Sequence, residues 1–322
     1  MRKFLGVFLA LVLLLSVCVA AQAADYPTKS INVICPWGAG GGTDACLRAL
    51  CQAVEKQLGQ MLTVENKTGG GGIIGHSAIS TAAPDGYTLG MITFELSTYT
   101  DLGTDLSYVD YALIARINTD AAALSVNTEW ANANNITDLA SFVEYCKANP
   151  NSVNIGGSSP SSVWHIGAGL LAGVAGIELK LVTFQEGAAT AVTNAAGGHI
   201  QGVSVSLAEA RAQIDAGALT VLGVMDAERS EIYPDVPTFQ ELGYDVVYGT
   251  WRGIAVPKDT PEDVLAVLND AFAAAVVDEE FVTFMQNQGQ KISYLNAADF
   301  QEYLARNLED VSKTMGELGL NE

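Results

Sequence analysis

Ile31-Asn32-Val33-Ile34-Cys35-Pro36-Trp37-Gly38-Ala39-Gly40-Gly41-Gly42-Thr43 is the stretch whose reading decides the fold. Ile31 to Ile34 is a short, largely apolar strand that Pro36 ends. Gly38, Gly40, Gly41 and Gly42 make a loop without bulk. Thr43 and Asp44 follow as a good helix N-cap and an acid in the first turn. A strand, a glycine loop and a helix N-terminus together make an anion site, because main-chain N–H groups point outward and the helix dipole adds roughly half a positive charge. No Lys or Arg lies in the loop, so backbone amides are expected to hold the anion. A second copy follows: Leu62 to Glu65 is a strand, and Gly69, Gly70, Gly71 and Gly72 lead through Ile73 into another helix. Two such loops from adjacent strands can face one ligand.

Neither loop is a dinucleotide fingerprint, since the third glycine falls at the wrong spacing, and neither carries the Gly-Lys-Ser/Thr of a P-loop. In open α/β sheets ligands sit beyond the carboxyl ends of strands, where both loops fall.

Outward from this pair the alternation continues. The first helix is predicted over about Asp44 to Leu58, with Leu47, Leu50, Val54 and Leu58 on one stripe and Gly59 as its stop. A helix over Ile74 to Ala82, a turn at Pro84-Asp85-Gly86 and a strand over Thr88 to Ile92 follow, implying a mostly parallel sheet. Ala121 to Val126 reads as a strand crossing into a second unit. There Thr137 is expected to cap a helix, and Val153 to Ile155 leads through Ser158, Ser159, Ser161 and Ser162 into a helix with Val163, Ile166, Leu170 and Val174 inward. Further strands are expected at Leu179 to Val182, Ile200 to Val205 and Leu219 to Met225, with helices near Ala188 to Ala196 and Leu207 to Asp215. Arg252 to Val256 is the return crossing, and Trp251 before it is either a cleft wall or part of the core. Thr260-Pro261-Glu262-Asp263 reads as a capping box with Pro at the first helical position, and a last amphipathic helix carries Phe300, Leu304, Leu308, Val311 and Met315. The expectation is an α/β chain of two lobes joined by two crossings: residues 24–123 with 250–322 as lobe 1, and 124–249 as lobe 2.

The chain has 322 residues, 49% hydrophobic and 16% charged, with a formal charge of −20. That length favours two domains, and the acidic surface excludes nucleic acid and anionic lipid as partners. Met1-Arg2-Lys3, an apolar run to Val19 and the small-x-small Ala21-Gln22-Ala23 read as a signal peptide over 1–23, the mature protein starting near Ala24. An uncleaved anchor, or a lipoprotein using Cys18, is the alternative. Cys35, Cys46, Cys51 and Cys146 remain. Export permits disulfides, but Cys46 and Cys51 stand five apart on one expected helix, which points their side chains in different directions. No paired Cys or His spacing suggests a metal, and no cofactor is expected.

Among the histidines, His165 lies one turn into the helix after the serine loop and can reach a ligand or pack beneath the loop. His76 and His199 read as solvated or structural. Phe184-Gln185-Glu186-Gly187-Ala188 is the other strand-to-helix loop of the second unit. Glu186 there either points to solvent or meets an ammonium on the ligand, because carboxylate beside carboxylate is unfavourable. Ser161 with His165 is the only local nucleophile–base pair, and no Gly-x-Ser-x-Gly context surrounds it.

Several segments resemble the substrate-binding proteins of tripartite tricarboxylate transporters, first described as Bordetella uptake proteins. They are Tyr26 to Ile31, Pro36-Trp37 through Gly41-Gly42-Thr43-Asp44, Val64 to Gly69, Pro84 to Thr88, Pro234 to Thr238 with Glu241 and Gly243, and Trp251 with Gly253 and Pro257. The resemblance covers the mature chain and implies a two-lobed periplasmic binding-protein fold of type II kind. It implies no catalysis, but capture of a small organic carboxylate (a di- or tricarboxylate, aromatic acid or amino acid) and delivery, as a monomer, to a membrane permease of one large and one small subunit. Carried over position by position, the ligand loops are Trp37 to Thr43, Gly69 to Ile73, Ser158 to Ser162 with His165, and Phe184 to Ala188. Trp37 in place of the usual Phe and Glu186 in place of a usual Gly leave the ligand's identity open. A sensor kinase in place of the permease is the alternative partner.

Overall fold

The computed structural model describes residues 26–159, 162–184 and 187–320. The expected leader, Ser161 and Glu186 lie outside the described residues. Strand β1 (Ile31–Cys35) is almost wholly buried, as a parallel strand covered on both faces must be. It lies between β2 (Leu62–Asn66) and β3 (Thr88–Thr93), parallel to both. Helix α1 (Gly42–Leu58) and helix α2 (Ile73–Ser80) follow the two glycine loops. The cap of α1 is Gly41 and not Thr43, with no side chain bonding the first amides. Thr43 is withdrawn because its hydroxyl accepts from Arg252 Nε at 2.9 Å. Asp44, in the first turn, ties the loop to the helix, its Oδ2 accepting from the Gly40 amide at 2.9 Å.

The crossing is longer than the sequence suggests. Strand β4 (Tyr111–Asn127) runs through both sheets without a break. Short helix α3 (Thr128–Ala133) and α4 (Leu139–Ala148) follow. The α4 cap is Asp138, which closes a reciprocal box with Ser141, so Thr137 stays outside the helix. Then come β5 (Asn154–Gly157), α5 (Val163–Ala175), β6 (Lys180–Thr183), α6 (Ala188–Ala196), β7 (Gly202–Ser206), α7 (Leu207–Asp215) and β8 (Leu219–Val224). On α5 the buried face is Trp164, Gly167, Ala168 and Leu171 as well as Val163 and Ile166. Leu170 is only partly covered and Val174 is 48% exposed. Small residues let the helix rotate its glycine-lined side inward, which a hydrophobicity stripe does not register.

Strand β9 (Gly249–Pro257) returns, antiparallel to β3 and to β4. Helix α8 (Glu262–Ala275) starts after Pro261, which is its cap; the Thr260 hydroxyl instead donates to the Pro257 carbonyl. Helix α9 (Glu279–Gln288), strand β10 (Lys291–Asn296) and helix α10 (Ala297–Leu318) complete the chain. One sheet is thus β2-β1-β3-β9-β4 with β10 on β4, and the other is β4-β7-β5-β6 with β8 on β4. The molecule is a two-lobed α/β fold in which β4 belongs to both sheets. One core gathers Leu47, Leu50, Leu89, Ile254, Leu268 and Phe272; another gathers Phe142, Ile155, Leu171 and Val203 and continues to Trp251 and Phe300.

Trp251 belongs to that core and not to a cleft wall. It is fully buried edge-on to Phe300, and its indole N–H donates to Asn307. The four cysteines among the described residues are buried free thiols. Burial pushes Cys35 and Cys46 up to about 12 and Cys146 up to about 11, so they are inert packing groups.

The second loop depends on one close approach. A Cβ on Gly75, in the first turns of α2, would fall 2.5 Å from Pro36 Cα and 2.7 Å from the Lys67 carbonyl oxygen. Both are backbone atoms and cannot step aside. Gly75→Ala is expected to cost about 1–3 kcal/mol, the range for overpacking a tight contact, read as a lower Tm with unchanged far-UV circular dichroism.

Candidate functional site

Three strand-end loops line one cavity. Trp37, Gly38, Gly41, Gly42 and Thr43 come from the first lobe, and Ser158, Gly187 and Ala188 come from the second. All eight are among the loop residues singled out from the sequence. Ala39, Gly40, Gly69, Gly70, Gly71, Gly72, Ile73, Ser159, Ser162, His165 and Phe184 stand outside the lining in this closed arrangement. A larger groove of about 790 Å³ runs beside the crossing strands, but none of the four strand-end loops lines it.

The second glycine loop faces its partner lobe even so. A Cβ on Gly71 would lie 2.8 Å from Ser159 Oγ, and φ there is +65°. A relay of fixed polarity holds this loop. The Thr93 amide donates to His76 Nε2 at 3.1 Å, so Nε2 is unprotonated and Nδ1–H donates to the Tyr99 hydroxyl at 2.8 Å. Tyr99 then donates to the Gly71 carbonyl at 2.9 Å. His76 is fully buried, and burial holds its pKa down to about 3, so it stays neutral. His76 is structural.

Trp37 anchors the first loop. Its indole N–H donates to Thr93 Oγ1 at 3.1 Å, and its carbonyl accepts from Asn66 Nδ2 at 2.8 Å. Asn66 also donates to Asp44. Burial would raise Asp44, but Arg48, the Gly40 amide and Asn66 outweigh it and hold the carboxyl below its usual value.

Sequence reasoning missed the charged floor. Thr93, Glu95, Val163, Trp164, Ala189, Glu209, Thr250 and Arg252 also line the cavity. Arg252, from β9, is 1% exposed; its Nη1 lies 3.4 Å from Asp120 Oδ2 and its Nη2 lies 3.6 Å from Glu209 Oε1. Asp120 is on β4, and Glu209 is in the first turn of α7. Glu95 follows β3 and accepts from Thr93 Oγ1 at 2.7 Å. Burial raises the pKa of all three carboxyls, Glu209 to about 7, against the pull of Arg252. No loop motif announces these residues; the only signal was Arg252 at the head of the return crossing.

The helix N-termini are used across the cleft. The Gly42 amide at the start of α1 draws down Glu209 from the other lobe, and the Val163 amide at the start of α5 draws down Glu95. The amides of Gly40 and Gly187 are spent within their own loops. The cavity that remains has a volume of about 30 Å³, room for a couple of waters at roughly 10–15 Å³ each. A solute therefore requires the lobes to stand further apart than they do here. The hydroxyl–carboxylate contact on the cavity lining is Thr93 with Glu95. Among the described residues no group of three or more His, Cys, Asp or Glu is placed to hold a metal, and no helix is long and apolar enough to cross a membrane.

The family model described as the tripartite tricarboxylate transporter family receptor matches residues 46–320. A Cupriavidus necator relative, the UPF0065 protein in the gbd 5′ region, is 28% identical over 93% of this chain and 90% of its own. A solved solute-binding protein of the same receptor type, from Polaromonas, is 32% identical, covers 91% of this chain and 99% of its own, and superposes with a TM-score of 0.68. MatC from Rhodopseudomonas palustris, solved with bound malate, shares the fold at TM-score 0.81 and 23% identity, over 90% of this chain and 99% of its own. This family consists of substrate-binding receptors and not enzymes. The chain belongs to the tripartite tricarboxylate transporter receptor family.

Proposed function

We propose that the chain is a periplasmic receptor that captures one small organic carboxylate and hands it to a tripartite tricarboxylate-type permease of one large and one small membrane subunit. The observation that carries this reading is the convergence of loops 37–43, 158 and 187–188 on one cavity between two sheets that share β4. In this reading residues 24–123 with 250–322 move as one lobe and 124–249 as the other. Trp37, Gly38, Gly41, Gly42 and Thr43 meet the solute from one side, and Ser158, Gly187 and Ala188 from the other. Gly71 and Ser159, so near across the gap that a Cβ on Gly71 would lie 2.8 Å from Ser159 Oγ, act as closing edges.

Isothermal titration of the mature protein against a panel of aliphatic and aromatic carboxylates tests it. One member is expected to bind at a single site. At a hundredfold excess over its Kd it should stabilise the fold by about 2.7 kcal/mol, seen as a Tm raised by several degrees. Turnover of a panel member without tight binding would remove the receptor reading.

A further inference from the structure

We infer that the solute carries a cationic nitrogen as well as its carboxylate, an amino-acid-type zwitterion, with Glu209 as the acceptor of that nitrogen and Glu95 beside it. This deepens the receptor reading and rests on it.

The first support is the balance of buried charge. Three carboxylates, Asp120, Glu209 and Glu95, surround one guanidinium, and Arg252 is the only cation lining the cavity among the described residues. Arg252 is already engaged by Asp120 and by the Thr43 hydroxyl. A dicarboxylate without a cation would add like charge to this set in a place that excludes water, where such repulsion is largest. The second support is independent of charge counting. Glu209 is 7% exposed at its side chain and lines the cavity, yet its Oε2 has no hydrogen-bond partner among the described residues. An orphaned buried carboxylate oxygen is costly, and an ammonium donor entering the cavity satisfies it. Ser158 Oγ, 3% exposed and on the same cavity, is likewise without a partner. It supplies a hydroxyl for the carboxylate end.

Glu209 also sits against the start of α1, where a Cβ on Gly42 would fall 2.9 Å from Glu209 Cγ. A zwitterion whose carboxylate takes the helix amides there places its ammonium beside that side chain.

The test uses matched pairs that differ only in the nitrogen: alanine with propionate, aspartate with succinate, glutamate with glutarate. Each is titrated calorimetrically into wild type, Glu209→Gln and Glu95→Gln. In at least one pair the amino member is expected to bind wild type a hundredfold tighter, with Glu209→Gln cutting that preference below tenfold. Wild-type binding of a deamino acid as tight as, or tighter than, its amino partner overturns the inference and leaves the receptor reading standing. So does succinate or glutarate binding that strengthens as pH falls through 7, because Glu209 would then be donating its own proton. If no member of the pairs or of the wider carboxylate panel binds wild type, both readings fall. The wild-type comparison stands even if a variant fails to fold, and Glu95→Gln gives a second, independent loss of preference.

Discussion

Arg252→Met loses about 3–5 kcal/mol of folding stability at pH 7.5, the cost of removing one partner from a buried charge cluster. Methionine keeps the length and the apolar stem, so packing is largely retained and the loss reports the guanidinium. Arg252 sits on β9 with 1% of its side chain exposed, and it holds Asp120 at 3.4 Å and Glu209 at 3.6 Å. Its Nε also donates to Thr43 on α1. Without it, two buried carboxylates face each other and Glu95 with no cation. Urea denaturation of wild type and variant, fitted with a common m-value, measures the loss. Arg252→Lys should recover only part of it, since a point charge cannot serve Asp120, Glu209 and Thr43 from three directions at once. The triple variant Arg252→Met, Asp120→Asn, Glu209→Gln should recover most of it, because the destabilisation comes from unpaired charge and not from a missing contact. A single Arg252→Met variant as stable as wild type would mean that the carboxyls are neutral without the arginine.

The order of strands and helices was legible because period and punctuation are local. Helices Ala188–Ala196 and Leu207–Asp215 end where the sequence places them, each between small or polar stops. The first glycine loop was legible for the same reason, lying between an apolar strand and an amphipathic helix. Caps were less so. Thr43, Thr137 and Thr260 all have the right chemistry, and in each case tertiary geometry chose a neighbour: Gly41, Asp138 and Pro261. The charged floor was not legible at all. Glu95, Asp120, Glu209 and Arg252 are brought together only by sheet pairing over more than a hundred residues, and each alone reads as a surface charge. The absence of a cation in the first loop held at the level of sequence, yet Arg252 reaches beneath that loop from the far end of the chain. Glu186 was singled out for its awkward charge beside a carboxylate ligand; the same argument applies with more force to Glu209, which the described residues do place in the cavity.

Glu209→Gln becomes more stable relative to wild type as pH rises, by about 3 kcal/mol in all between pH 4.5 and 8, from the linkage of 1.36 kcal/mol per pKa unit. The sign follows from the direction of the shift. Burial raises Glu209 from 4.5 to about 7; Arg252 opposes that, Asp120 and Glu95 add to it, and the Gly42 amide opposes it weakly. The folded state therefore holds this proton when the unfolded chain has lost it. Its contribution to wild-type stability is complete below pH 4.5 and is lost as pH rises through about 7. Glutamine carries no proton to lose, so the variant escapes the penalty. Wild-type melting alone would blur this. His76 has the opposite sign: its pKa is held down to about 3 in the fold, so it costs stability as pH falls below its ordinary 6.5. His165, also lowered by burial, acts the same way. The difference between variant and wild type cancels both histidines and leaves Glu209. Urea titrations of the two proteins at pH 5, 6, 7 and 8 give that difference directly; a flat line would mean that Glu209 titrates alike folded and unfolded. A cationic nitrogen bound beside Glu209 would favour its charged form and remove the same penalty, so an amino-acid ligand should raise wild-type stability most above pH 7 and Glu209→Gln much less.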